Sequence, residues 1–95
     1  MALIKEIELE NGIVVTYHRI VSINKITNKS IIIEVGSYIN KAKRQEEIEK
    51  EKSGEPMHVY IDTTYMDKEY NENDTIKDLY DYLKTTDKFK DAVDG

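Results

Sequence analysis

Two histidines, a run of acids and seven tyrosines are what this chain offers for chemistry. Zinc needs three or more ligands held in convergent geometry. His18 and His58 supply two, with Asp62 the nearest acid in sequence. Both histidines fall inside apolar, strand-like runs, so cross-strand or surface histidines are the reading we take. Asp67, Glu69, Asn71 and Asp78 follow the ligand spacing of a calcium loop. Its sixth position, where a sharp turn demands Gly, is Glu72, and its twelfth, where a bidentate Glu belongs, is Asp78. The stretch reads instead as a polar connection. Four glycines form no phosphate loop, and no Ser/His/Asp set has motif context. Without cysteine there are no thiolate nucleophiles, disulfides or Cys-based zinc sites. Asn28-Lys29-Ser30 and Asn73-Asp74-Thr75 match the glycosylation pattern, but without a secretory signal the match is chance. The expectation is no catalytic residue, no cofactor, no metal and no enzyme.

The tyrosines point elsewhere. Tyr60, Tyr65 and Tyr70 recur at five-residue intervals, Tyr80 and Tyr82 follow, and Tyr17 and Tyr38 lie upstream. A tyrosine buries a large ring while its hydroxyl stays wet, which suits interfaces. Tyr60, Tyr65 and Tyr70, joined by Tyr17 and Val15, form the candidate interface. The competing reading makes most of them half-buried rim residues of one core.

A net charge of −5 over 95 residues is unevenly spread. Residues 1–54 carry nine Lys/Arg against eight Asp/Glu, whereas residues 55–95 carry five against eleven. An acidic second half disfavours phosphate backbones and anionic lipid, so no nucleic acid and no membrane are expected as partners. No run reaches the roughly 20 apolar residues of a membrane helix, and the first residues do not read as a signal peptide.

These residues are positioned by an organising first stretch, 1–39, which reads as a three-stranded meander. Asn11-Gly12 between apolar-alternating runs predicts a two-residue type I′ turn. That turn pairs Glu10 with Ile13, Leu9 with Val14, Ile7 with Thr16 and Lys5 with His18. The second strand, with Ile13-Val14-Val15 and Ile20-Val21 and Ile23, is apolar on both faces, the mark of a central strand covered on each side. One cover is a helix; the other is the rest of the chain or a second copy. Thr27 to Ser30 reads as the next turn, and Ile31 to Ile39 as the third strand. Gly36 inside it marks a bulge or a close backbone approach.

Asn40 caps a predicted helix over Lys41 to Lys52. Arg44 with Glu47 and Glu46 with Lys50 stand at helical neighbour spacings. Its only apolar residues are Ala42 and Ile48, so residues 40–56 read as a solvated helix or mobile loop, with a docking arm as the alternative. Met57 to Met66 predicts a fourth strand. Ile76, Leu79, Tyr80 and Leu83 then share one helical face, capped by Asn73 or Asp74. A last turn carries Phe89, Ala92 and Val93, making 74–93 a C-terminal helical segment. The class is α+β in a single domain, 1–95: an antiparallel meander of about four strands, one face packed by the C-terminal helix.

The opening ALIKEIELENGIVVTYHRIVSINKIT and the closing YNENDTIKDLYDYLKTTDKFKDAVD resemble small proteins of siphophages and prophages of Gram-positive bacteria, encoded near tail, baseplate and tail-fibre genes. The resemblance covers about the first forty and last twenty-five residues and excludes the charged middle. It implies a virion or tail-associated accessory protein, with other phage structural proteins as partners and the host cytoplasm, then the virion, as its place. It brings no functional residues. Together with the two-faced strand, it points to a non-enzymatic structural protein acting as a homo-oligomer. The alternative is a small acidic phage inhibitor that binds a basic surface of a host enzyme.

Overall fold

The computed structural model describes residues 2–54 and 59–95. In chain order the elements are β1 (Leu3–Glu8), β2 (Val14–Ile26), β3 (Ser30–Tyr38), α1 (Lys41–Lys52), β4 (Asp62–Glu69), α2 (Ile76–Leu83) and β5 (Val93–Asp94). The strands form one antiparallel sheet in the order β4-β3-β2-β1-β5. The fold is therefore α+β, with β2 in the middle, as a strand apolar on both faces requires.

The first hairpin closes at Asn11-Gly12 but not through the expected turn. A type I′ turn needs positive φ at both central residues. Gly12 has it, at +83°, and Asn11 does not. Gly12 N–H donates to the Leu9 carbonyl at 2.9 Å and Leu9 N–H to Ile13 at 2.8 Å, while the Asn11 side chain accepts from Ile13 N–H. The loop thus holds one residue more, with Gly12 in the left-handed position that a bulged three-residue loop assigns to glycine. Glu8 then faces Val14 and Ile7 faces Val15, and a β-bulge brings Ile4 to Tyr17 and Leu3 to His18. The predicted pairing of Lys5 with His18 is replaced by Leu3 with His18.

On one face of the sheet Leu3, Ile20, Ile31, Ile33 and Val35 pack against Leu79, Tyr80 and Leu83 of α2 and against Phe89 and Ala92. The α2 cap is Thr75 rather than Asn73 or Asp74. Its hydroxyl accepts from Asp78 N–H while the Asp78 carboxylate accepts from Thr75 N–H, a reciprocal box. Asp74 is engaged instead by Lys68 at 2.6 Å. The helix stops at Leu83, where the Thr85 and Thr86 hydroxyls take the carbonyls of Tyr82 and Leu83. Turns follow where a final helical turn was expected. Phe89 and Ala92 still reach the core from those turns, whereas Val93 passes into β5 and is exposed.

The opposite face carries Tyr17 and Tyr38, with Ala2, Ile4 and Tyr60 packed beside them. Gly36 pairs regularly with Arg19 and Thr63, so it marks a close approach and not a bulge. A Cβ there would stand 2.9 Å from both Tyr60 Cγ and Val21 Cγ1. β4 begins at Asp62, later than predicted, and runs to Glu69, into the stretch expected to be a turn. The Met57 and His58 part of that prediction lies outside the described residues.

Candidate functional site

The five predicted interface residues do not meet on one surface. Val15 and Tyr17 are buried within the single chain and supply no partner surface. Tyr70 packs against the α2-side core, and Tyr60 lies on the other face, against Tyr38 and over Gly36. Tyr65, 67% exposed, alone stands open, its hydroxyl donating to Glu34 at 3.2 Å. The five-residue spacing misleads because an odd interval along a strand changes face: Tyr65, paired with Glu34, lies on the side opposite Ile33 and Val35, where Tyr70 packs.

The helix expected to float in solvent is anchored by a polar residue. Glu47 is 2% exposed. One carboxylate oxygen accepts from the Tyr38 hydroxyl at 2.8 Å and from Arg44 at 2.5 Å, and the other accepts from Val59 N–H at 2.7 Å. Arg19 approaches the same carboxylate at 3.8 Å. Burial works to raise the Glu47 carboxyl, but the Val59 amide, the Tyr38 hydroxyl and Arg44 together hold it below the ordinary carboxylate value. Burial, with Glu47 as acceptor, pushes the Tyr38 phenol up to about 12. These groups serve as a lock for α1 against the sheet. The pairing of Arg44 with Glu47 was visible in their spacing, but the inward direction was not.

His18 is likewise buried, with its ring edge against Phe89. Its Nε2 lies 2.8 Å from the Lys5 carbonyl, which can only accept, so Nε2 carries the proton and Nδ1 accepts from the Ser37 hydroxyl at 2.7 Å. The bonding resembles a catalytic dyad turned inside out. Ser37 and His18 are both fully buried, so the pair is a cross-strand pin joining β2 to β3. Burial holds the imidazole below its usual value against the pull of the Lys5 carbonyl. Asp62 approaches Lys88 at 3.7 Å, and His58 lies outside the described residues. No group of three or more metal-ligating side chains occurs among the described residues. Asp67 and Glu69 sit within β4, which removes the calcium-loop geometry.

What remains open is one end of the sheet. In an antiparallel sheet the ends of β1 and β3 lie beside the starts of β2 and β4. There Ile13, Val14, Ile39 and Ile61 are 41%, 37%, 39% and 45% exposed. Thr16 ties to this end through the Ile39 carbonyl, and Ile61 N–H reaches the Ser37 carbonyl. Ile7, Leu9 and Ile61 line a cleft of about 530 Å³, edged by Glu8, Glu10, Asp62 and Lys88. α2 packs on Leu3, Ile20, Ile31, Ile33 and Val35, while from the C-terminal turns Lys88 reaches this end at Asp62. Aliphatic exposure at one sheet end marks a place where another surface fits. The double-sided apolar run at Ile13 to Val15 was its signal in the sequence.

No described helix is long and apolar enough to cross a membrane. Compared with protein-family models, with curated proteins and with solved structures, the chain has no match.

Proposed function

We propose that this chain is a non-enzymatic structural and interaction protein that self-assembles through the bare end of its sheet, as an accessory of a phage tail or baseplate. The single observation behind the reading is that Ile13, Val14, Ile39 and Ile61, at one end of the sheet, are each more than a third exposed. Four aliphatic side chains gain from leaving water, at about 25 cal/mol per Å² of apolar area removed. The tail or baseplate setting comes from the resemblance of the chain's two ends to such proteins. Light scattering tests the reading. The native chain should weigh a multiple of its 11.1 kDa, and Ile61→Glu should return it to one copy. A native chain that stays at one copy over all concentrations overturns it.

One feature favours the second reading, an acidic inhibitor of a host enzyme. Glu8, Glu10 and Asp62 edge the apolar cleft, so a basic partner would find opposite charge around a greasy centre. Salt separates the two. Association led by charge weakens as ionic strength rises, and association led by aliphatic burial persists.

A further inference from the structure

β1 starts late relative to its neighbour: Leu3 already faces His18, so among the described residues β2 has no strand beside it on that side beyond this point. The exposed backbone is met by a side chain, as Ile20 N–H donates to the Tyr80 hydroxyl at 2.8 Å. The notch so formed lies between α1 and α2 and encloses about 360 Å³. Lys41, Arg44, Gln45 and Ile48 line it from α1, at the 3- and 4-residue spacings of one helical stripe. Ile76 and Tyr80 come from α2, and Tyr17, Arg19 and Ile20 from β2.

Three cations therefore gather at one cleft in a chain of net charge −5. Among the described residues Glu47 is the one acid bonded into this group, which leaves an excess of two positive charges there. Arg44 spends a donor on Glu47, while among the described residues the Arg19 guanidinium has long contacts, 3.4 Å to the Tyr38 hydroxyl and 3.8 Å to Glu47. A guanidinium has five N–H donors, so both arginines retain donors for an oxyanion. Lys41 is exposed and joins no ion pair among the described residues. Beside the cations, Tyr17, Ile20, Ile48 and Ile76 give an apolar wall.

We propose that this notch binds a small phosphomonoester whose organic part is a single ring or short apolar group. The phosphate, near −2 at neutral pH, matches the excess charge, and two guanidinium forks suit its oxygens. A cleft of this volume sits at the small end of ligand sites and admits one ring beside the phosphate. The notch shares no lining residue with Ile13, Val14, Ile39 or Ile61, and the proposal stands whether or not that end self-assembles.

The test is a titration of the full chain, followed by amide NMR, with phenyl phosphate, inorganic phosphate and benzoate. Phenyl phosphate should bind saturably, moving amides of residues 19–20, 41–48 and 76–80, with benzoate and inorganic phosphate each clearly weaker. Lys41→Gln should weaken it about tenfold, the scale of one lost charge-assisted bond. Lys41 is exposed, so this variant keeps the fold; Arg19→Gln is the second arm. Equal binding by benzoate overturns the dianion. No saturable binding, shifts away from the notch, or indifference to Lys41→Gln overturns the site. Preference for an acidic peptide over phenyl phosphate likewise overturns it, in favour of a protein partner.

Discussion

The two faces of this sheet are covered by helices of opposite character. α2 brings Leu79, Tyr80 and Leu83 onto an aliphatic surface, the arrangement that apolar periodicity announces. α1 brings a carboxylate. Glu47 is buried among Tyr38, Arg44, Arg19 and the Val59 amide, and the helix contributes no apolar residue to either buried cluster. Apolar packing tolerates small shifts. A buried carboxylate fixes direction, since each oxygen must find its donors, and it is costly to leave half-satisfied. Both faces contribute stability; the second also sets where α1 lies, and with it the basic notch.

The largest way to break this contrast is Glu47→Ala. Removing one partner strands Arg44, the Tyr38 hydroxyl and the Val59 amide, and should cost about 3–5 kcal/mol in denaturant unfolding. Leu83→Ala on the other face falls in a similar range, about 2–5 kcal/mol. The difference appears in rescue: Leu83→Met should recover most of its loss, being apolar and of similar volume, whereas Glu47→Leu should not, because three donors still face it. Full recovery by Glu47→Leu would show that α1 needs only bulk. Next is Gly36→Ala, where a new Cβ meets Tyr60 and Val21 at 2.9 Å. Overpacking of this kind should cost about 1–3 kcal/mol.

Acid and alkali act on both faces, through Tyr80 and through His18 against Phe89 on the α2 side, and through Tyr38 on the α1 side. His18 is held below its ordinary 6.5, so the unfolded chain takes a proton that the folded chain refuses. Its contribution is intact above pH 6.5 and is lost as pH falls from there, with a slope of up to about 1.4 kcal/mol per unit. Lys5, Lys88 and Asp62 face it, the two cations adding to the loss and Asp62 opposing it. Tyr38 moves the other way, from 10 to about 12. Its contribution is intact below pH 10 and fades as pH rises toward 12, and Tyr80 shares the direction. Thermal melts across pH should therefore show an alkaline loss that Tyr38→Phe reduces. The smallest effect is expected at Tyr65→Ala. An exposed ring whose hydroxyl bonds Glu34 should change stability by no more than about 0.5 kcal/mol.

How much of this was legible follows from what each residue answers to. Asn40 and the run Lys41 to Lys52 answer to local chemistry, and the helix has those bounds. The central place of β2 was legible because apolar side chains on both faces need two covers. The register was not. It turned on whether Asn11 takes positive φ, and both loops satisfy the same dipeptide. Glu47 was hidden for a different reason, since a charge in a charged helix reads as solvated until its partners from β2, β3 and residue 59 are in place. The bare end was half-legible: the sequence shows surplus aliphatics in the second strand, but not which of them stay exposed.

The proposal that copies meet at that bare end is tested most directly by mixing methyl-labelled with unlabelled protein and recording isotope-filtered NOEs between copies. The account predicts intermolecular NOEs at the methyls of Val14, Ile39 and Ile61. Their absence in a sample that is a single copy, or their appearance around Tyr65 instead, would contradict it.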